Sequence, residues 1–93
     1  MRVIWKYKLD PVQGKTQSIM MPCWSNILDV QMQGSEPVLW ALVDPSTPME
    51  EREFLLVWTG EERDDLGDIG YIGTFQAGPV VWHLFEKFDE LPF

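Results

Sequence analysis

The alternation of apolar and polar positions along the chain predicts short β-strands. The first segment, RVIWKYKL, places Val3, Trp5 and Tyr7 on one face and Lys6 and Lys8 on the other. This period of two, in residues that favour strands, is typical of a half-buried β-strand. The segment ILDVQMQ repeats the pattern, with its apolar side chains on every second position.

The stretch EPVLWALVDP, residues 36–45, has a different pattern and organises the rest of the chain. Its apolar run from Val38 to Val43 is bounded by Pro37 and Pro45 and is too short for an ordinary helix. A strand that is apolar on both faces belongs in the middle of a sheet, with neighbours along both edges and cover above and below. The segment REFLLVWT is apolar on both faces in the same way.

Turn signals between these segments predict an all-β fold, with about seven short antiparallel strands in a small sandwich or a partly open barrel. We expect a single domain over residues 1–93, a hairpin over residues 3–21, and a tight hairpin joining the third and fourth strands through Gly34, Ser35 and Glu36. The predicted strands are 2–9, 16–21, 27–33, 38–43, 52–59, 69–76 and 80–88.

Three local features leave alternatives open. Residues 80–88 also fit a helical period, and the loop DPSTPMEE has room for one helical turn capped by Ser46 or Thr47. Gly70 and Gly73 interrupt the sixth strand, which predicts a bulge, a bend or the close approach of another backbone.

Composition narrows the function classes. Five Trp, five Phe and two Tyr in 93 residues are enough to fill a small core with few residues, and we expect some of them to lie at the surface. The sequence has no secretory signal and no membrane-spanning run, and its single cysteine, Cys23, allows no internal disulfide, so we expect a cytoplasmic location. One histidine and one cysteine are too few for a structural zinc site, and we expect no metal and no cofactor.

The acidic charge is concentrated in one part of the chain. Residues 44–68 hold nine Asp or Glu against two Arg, which is −7 of the total of −8. Direct binding to nucleic acid is disfavoured, because it requires clustered Lys and Arg. The predicted partner-binding residues are four carboxylates of the loop GEERDDLG together with Trp24, which stands in a connector without an apolar run: Glu61, Glu62, Asp64, Asp65 and Trp24.

No catalytic motif is evident in the residue pattern. His83, the only histidine, lies between Trp82 and Leu84 and is interpreted as a strand residue; no motif pairs it with Cys23 or Ser25 as a nucleophile. The acidic loop lacks the ligand spacing of a calcium loop, and its adjacent carboxylates lack the positioned separation of a glycosidase pair. We therefore predict that the protein is not an enzyme.

Motifs spread over nearly the whole chain resemble a family of small, uncharacterised proteins of tailed phages and prophages. The resemblance lies in Ile4-Trp5-Lys6-Tyr7, Met21-Pro22, Val30-Gln31, Leu39 to Pro45, Trp58-Thr59-Gly60, Ile72 to Gln76 and Val81 to Glu86. It implies a common fold and a phage context, hence the cytoplasm of an infected or lysogenic host, but no activity. The acidic loop EERDD departs from the family pattern.

Three functions follow as hypotheses. The leading one is a phage-type accessory protein that inhibits a host defence factor by presenting its acidic surface to a basic partner. The alternative is a homo-oligomer that sequesters a small nucleotide signal, with Lys6, Lys8, Tyr71 and Gly73 as ligand-binding residues. The third is a minor virion or assembly component.

The last expectation concerns assembly. The apolar segment 80–88 lacks protecting charges before Glu86, so we predict an exposed edge strand and a symmetric dimer, or a higher homo-oligomer, formed through residues 80–93. The predicted contact residues are Trp82, Phe85, Phe88 and Phe93.

Overall fold

The described residues, 1–12 and 14–88 of a computed structural model, form seven antiparallel β-strands in two sheets and confirm the predicted all-β fold. The two sheets do not close into a barrel. The strands are β1 (Val3–Lys8), β2 (Thr16–Pro22), β3 (Asn26–Gln33), β4 (Glu36–Val43), β5 (Met49–Trp58), β6 (Asp68–Ala77) and β7 (Val80–Phe88).

The three-stranded sheet has the order β1-β4-β3, so β4 is central, as its two-sided apolar pattern predicts. β4 pairs with β3 through the predicted tight hairpin, and Val30 stands opposite Leu39. On the inner face, Leu39, Ala41 and Val43 are fully buried against the other sheet. The four-stranded sheet, with the order β2-β5-β7-β6, supplies the opposite half of the core, mainly through Phe54, Leu56, Trp82 and Leu84.

The predicted hairpin over residues 3–21 is wrong, because its two strands lie in different sheets. β1 pairs with β4, and β2 pairs with β5. The chain reverses between β1 and β2, and Asp10 and Gln17 exchange two hydrogen bonds of 2.8 Å at this reversal. β1 supplies the second neighbour that the two-faced β4 requires, while β2 packs Met21 into the core from the other layer.

The seventh strand is confirmed, but its predicted place at a sheet edge is wrong. Residues 80–88 form the predicted strand and not the helical alternative, and β7 lies inside its sheet with β5 on one side and β6 on the other. Both backbone edges of β7 are therefore paired. The edge strands are β1 and β3 in one sheet and β2 and β6 in the other.

One side of the sandwich is closed where β3 approaches β6. The β6–β7 register shifts between Tyr71 and Gly73, which confirms the predicted bulge. Gly73 is buried there and faces Val30 of β3, which confirms the close approach. Residues 44–47 form a turn closed by a 3.1 Å bond from Thr47 N to Asp44 O, and not the helical turn that the loop allowed. In the described part of the chain, no helix is long and apolar enough to cross a membrane.

Candidate functional site: an acidic cleft beside Trp24

A shallow cleft of about 380 Å³ lies at one end of the sandwich, where three elements meet. These elements are the turn between β2 and β3, the first half of β5 and the last residues of β7. The cleft is lined by Trp24, Ser25, Glu50, Glu51, Arg52, Glu53, Glu86, Lys87 and Phe88. We refer to it below as the acidic cleft.

Trp24 is held outside the core by the turn that carries it. Its φ of 61° lies in the left-handed region, and its side chain is 86% exposed. The turn is fixed on both sides: Cys23 N donates to Pro48 O at 2.8 Å, and Ser25 Oγ donates to Pro22 O at 2.6 Å. A bulky residue with positive φ is a rare and costly conformation, and the surrounding bonds keep it in place. Trp24 is therefore accessible to a partner, as its predicted role in partner binding requires.

The floor of the acidic cleft is a partly buried ion pair between adjacent strands of the four-stranded sheet. Arg52 donates from Nε and Nη2 to the two carboxylate oxygens of Glu86, both at 2.7 Å. Its third donor, Nη1, bonds to the carbonyl of Ser25. The bonds to Glu86 raise the pKa of Arg52 above its ordinary value. All three guanidinium nitrogens of Arg52 are therefore engaged in bonds within the protein.

The surplus charge of the acidic cleft is negative. Glu86 neutralises Arg52, and Lys87 is the other cation of the lining. Against Lys87 stand Glu50 and Glu51, both exposed, and the half-buried Glu53. A second opening of about 240 Å³ adjoins the first across the Arg52–Glu86 pair. The arrangement suits a cationic group better than an anionic one.

The predicted acidic loop is more ordered and less negative than its composition indicates. Arg63 donates to Glu61 at 3.0 Å and to both oxygens of Asp65 at 2.9 and 3.1 Å. The bonds from Arg63 hold the pKa of Asp65 below its ordinary value. Glu61 also accepts a bond from Trp58 N at 3.1 Å. Of the four carboxylates, Glu62, Asp64 and Asp65 are exposed to solvent and Glu61 is half-buried; Glu61 and Asp65 are the two that are bonded to Arg63.

The residues predicted for a small nucleotide are not brought together. Lys6 donates to Gln33 at 2.6 Å, and Lys8 pairs with Glu36 at 3.4 Å, both on the outer face of the three-stranded sheet. Tyr71 lies on β6, at the far edge of the other sheet, with its hydroxyl 2.6 Å from Thr74 Oγ1. Gly73 is buried against β3. These positions are therefore distributed over both sheets.

His83 is a half-buried strand residue in a hydroxyl network. Its Nε2 lies 2.7 Å from Thr59 Oγ1, and its Nδ1 lies 3.0 Å from Thr74 Oγ1. Cys23, far along the chain, has its pKa raised by burial and by Glu50, which disfavours the thiolate. The sequence did not indicate the two threonine partners. Thr74 stands opposite His83 on the neighbouring strand, and alternation along one strand does not reveal which residues face each other across two strands.

The residues predicted for the dimer contact divide into different environments. Trp82 is 6% exposed and packs edge-on against Trp58, with ring centroids 5.4 Å apart, so it is core and not contact surface. Phe85 is half-buried against the ring of Tyr71. Phe88 is 47% exposed and lines the acidic cleft, whereas Phe93 lies outside the described residues.

Comparison with known proteins adds a family and no activity. A family model described as Domain of unknown function (DUF7352) matches residues 1–92. No curated protein matches the chain. No solved structure matches it either. Among the described residues, no group of three or more His, Cys, Asp or Glu side chains is placed to hold a metal ion.

Proposed function

The chain belongs to the DUF7352 family, and on that premise we propose that it is a non-catalytic binding protein whose acidic cleft receives a Lys- or Arg-bearing segment of a partner protein. One observation carries the proposal: Trp24 is held 86% exposed beside a cleft whose surplus charge is negative. Trp24 is kept from the prediction as a binding residue. The carboxylates that we propose for binding are those of β5 in place of those predicted in the loop at 61–65.

Two forces favour a cationic guest in the acidic cleft. An aromatic face attracts an ammonium or guanidinium group, by about 0.5–1 kcal/mol where the site is exposed. Glu50 and Glu51 add attraction that steers the encounter and weakens with salt. Because the cleft is shallow, each contribution is small, and a segment with several basic residues binds better than a single side chain.

In the phage context that the sequence resemblance implies, the partner is a host protein whose basic surface normally serves nucleic acid. Occupation of that surface by this protein would block it, which is the form of host-factor inhibition that we propose. The acidic loop is not part of the proposed site: Glu62 and Asp64 do not line the acidic cleft, and the other two carboxylates of the loop are paired with Arg63.

The first experiment measures binding of a fluorescent Arg- and Lys-rich peptide by anisotropy, as a function of salt. We expect saturable binding that quenches tryptophan fluorescence and weakens as salt rises. Trp24→Ala, and separately Glu50→Gln with Glu51→Gln, should each weaken binding about three- to fivefold, the loss of roughly 0.7–1 kcal/mol.

The matched control is Glu62→Gln with Asp64→Asn, which removes the same charge from the acidic loop. It should leave peptide affinity within about a factor of two if the cleft is the site. If the two double variants lose equal affinity, the peptide responds only to the net charge of the protein. If Trp24→Ala binds the peptide as well as wild type does, the acidic cleft is not the binding site. Recovery of a basic partner from host lysate by wild type, but not by Trp24→Ala, then tests the proposal on natural partners.

A further inference from the structure

The sandwich is closed on one side and open on the other. β3 and β6 meet at the closed side, where the Gly73 backbone approaches Val30. Because β3 and β6 are each at one end of their sheet, the opposite ends, β1 and β2, share the other side. Each of these two edge strands is paired along one edge only within the described residues.

The open side exposes apolar side chains on both edge strands. On β1, Val3 and Trp5 point inward, opposite the core residues Val43 and Ala41, yet are 40% and 37% exposed. Ile4, on the outer face of β1, is 57% exposed, and Met20, on the outer face of β2, is 53% exposed. Lys6 and Lys8 give the outer face of β1 some protection, but an edge with an unpaired backbone and exposed apolar side chains on both faces is still a template for pairing with another strand.

We propose that this open side is a dimer interface between two copies of the chain, in which β1 of each copy pairs with β2 of the other. A two-fold axis parallel to the strands, in the plane between the sheets, exchanges the two layers. In one layer of the dimer, the three-stranded sheet of the first copy lies beside the four-stranded sheet of the second. In the other layer, the four-stranded sheet of the first copy lies beside the three-stranded sheet of the second. The reversal of the chain between β1 and β2 makes these new pairs antiparallel.

A second copy fits this side better than a foreign strand does. One foreign strand would cover one of the two open edges, whereas a two-fold related copy covers both and closes the assembly. It also buries the inward-facing Trp5 beneath the partner's layer. The charges agree: the outer face of β1 carries Lys6 and Lys8, and β5, the strand next to β2, carries Glu51 and Glu53 on its outer face.

The first experiment is sedimentation equilibrium at micromolar concentration, with the mass expected at twice the 10.8 kDa of one chain. Val3→Lys places a charge on the inner face of the open edge and should weaken the dimer about tenfold or more. The control, Leu28→Lys, adds the same charge at a similarly exposed residue of β3, on the closed side, and should leave the dimer unchanged. A monomeric wild type, or equal sensitivity to both changes, overturns the proposal.

Disulfide trapping gives an independent readout. In a Cys23→Ser background, Ile4→Cys is combined in turn with Thr16→Cys, Ser18→Cys and Met20→Cys, which share the outer face of β2. Ile4 and these residues of the same copy lie on opposite outer faces, so a bond within one chain would have to cross the sandwich, which is wider than the 4.4–6.8 Å that a disulfide spans. At least one combination should cross-link two chains under oxidation. Single-cysteine variants should not, because the axis keeps identical residues on opposite layers. Absence of cross-links from all three combinations overturns the pairing.

Discussion

A β-carbon added to Gly73 would lie 2.8 Å from Cγ1 of Val30, closer than any two such carbons pack. Val30 is fully buried on β3, and Gly73 occupies the position after the bulge in β6. The two strands belong to different sheets, so this contact fixes how closely the sheets approach at the closed side of the sandwich. Glycine is required here for space, since its backbone is not in the left-handed region.

Gly73→Ala should lower the free energy of unfolding by about 1–3 kcal/mol, because the added methyl overpacks the corner. Urea denaturation measures the change. Gly70→Ala is the matched control: its added carbon would meet the ring of Phe88 at 3.1 Å, and that half-exposed ring can move. If the two substitutions cost the same, the steric explanation fails. Adding Val30→Ala to Gly73→Ala should recover part of the loss, since it removes the opposing methyl.

Glu86→Leu should cost about 3 kcal/mol, because it leaves the Arg52 guanidinium partly buried without its carboxylate. The side chains of this pair are 16% and 11% exposed, so some of the lost interaction is replaced by water. The double variant Arg52→Met with Glu86→Leu should be more stable than Glu86→Leu alone, since both charges are gone. Urea denaturation of the three proteins decides this. A double variant that is no better than the single would show that packing, and not an uncompensated charge, dominates.

Arg63→Gln should release the loop at 60–67, because Arg63 is the group that holds Glu61 and Asp65 together. The Arg63 guanidinium also lies near Gly14, which precedes β2 in the chain. β2 begins at Thr16, which pairs with the buried Leu55 of β5. We expect faster amide exchange in the loop and a rise in the pKa of Asp65 toward its ordinary value, both measured by NMR. The control, Glu62→Gln, is one residue away and should change neither the amide exchange of the loop nor the pKa of Asp65. An unchanged pKa of Asp65 in Arg63→Gln would contradict the role of Arg63 in holding the two carboxylates together.

The strands could be predicted from the sequence because alternation is local. β4 and the β3–β4 hairpin were found in this way, and the glycines of β6 correctly indicated a close approach. Sheet membership could not be found, because it depends on which distant backbone a strand pairs with. Thus β1 and β2, adjacent in the chain, were assigned to one hairpin although each pairs with a later strand. The run VVWHLF was a missed signal: like β4, it is apolar on both faces, and β7 is likewise interior.

The candidate site was predicted only in part. Trp24 was identified because no apolar run surrounds it, and it is exposed. The carboxylates beside it, Glu50 and Glu51, were passed over because they stand at the start of a strand that was predicted to begin later. The number of acidic residues favoured the loop at 60–67 as the binding site. That number does not show that Arg63 bonds to two of these carboxylates, Glu61 and Asp65. Side-chain pairing within a loop has no periodic pattern, so the sequence does not reveal it.

Ser46→Ala should raise the pKa of Asp44 toward its ordinary value and weaken the turn between β4 and β5. Ser46 donates to Asp44 Oδ1 twice, from Oγ at 2.6 Å and from its backbone N at 3.0 Å, and these bonds, the hydroxyl first, hold the pKa of Asp44 down. A carboxylate whose pKa is lower in the folded state stabilises the fold above its unfolded pKa, and the contribution is lost as pH falls through the folded value. Ser46→Ala should therefore reduce stability at neutral pH, and its difference from wild type should shrink as the medium is acidified.

NMR titration of the Asp44 carboxyl and urea denaturation at neutral and acidic pH measure both effects. The control is Ser35→Ala in the exposed β3–β4 turn, which should alter neither quantity. A loss of stability in Ser46→Ala that stayed constant with pH would place the effect in the backbone of the turn and not in the charged hydrogen bond to Asp44.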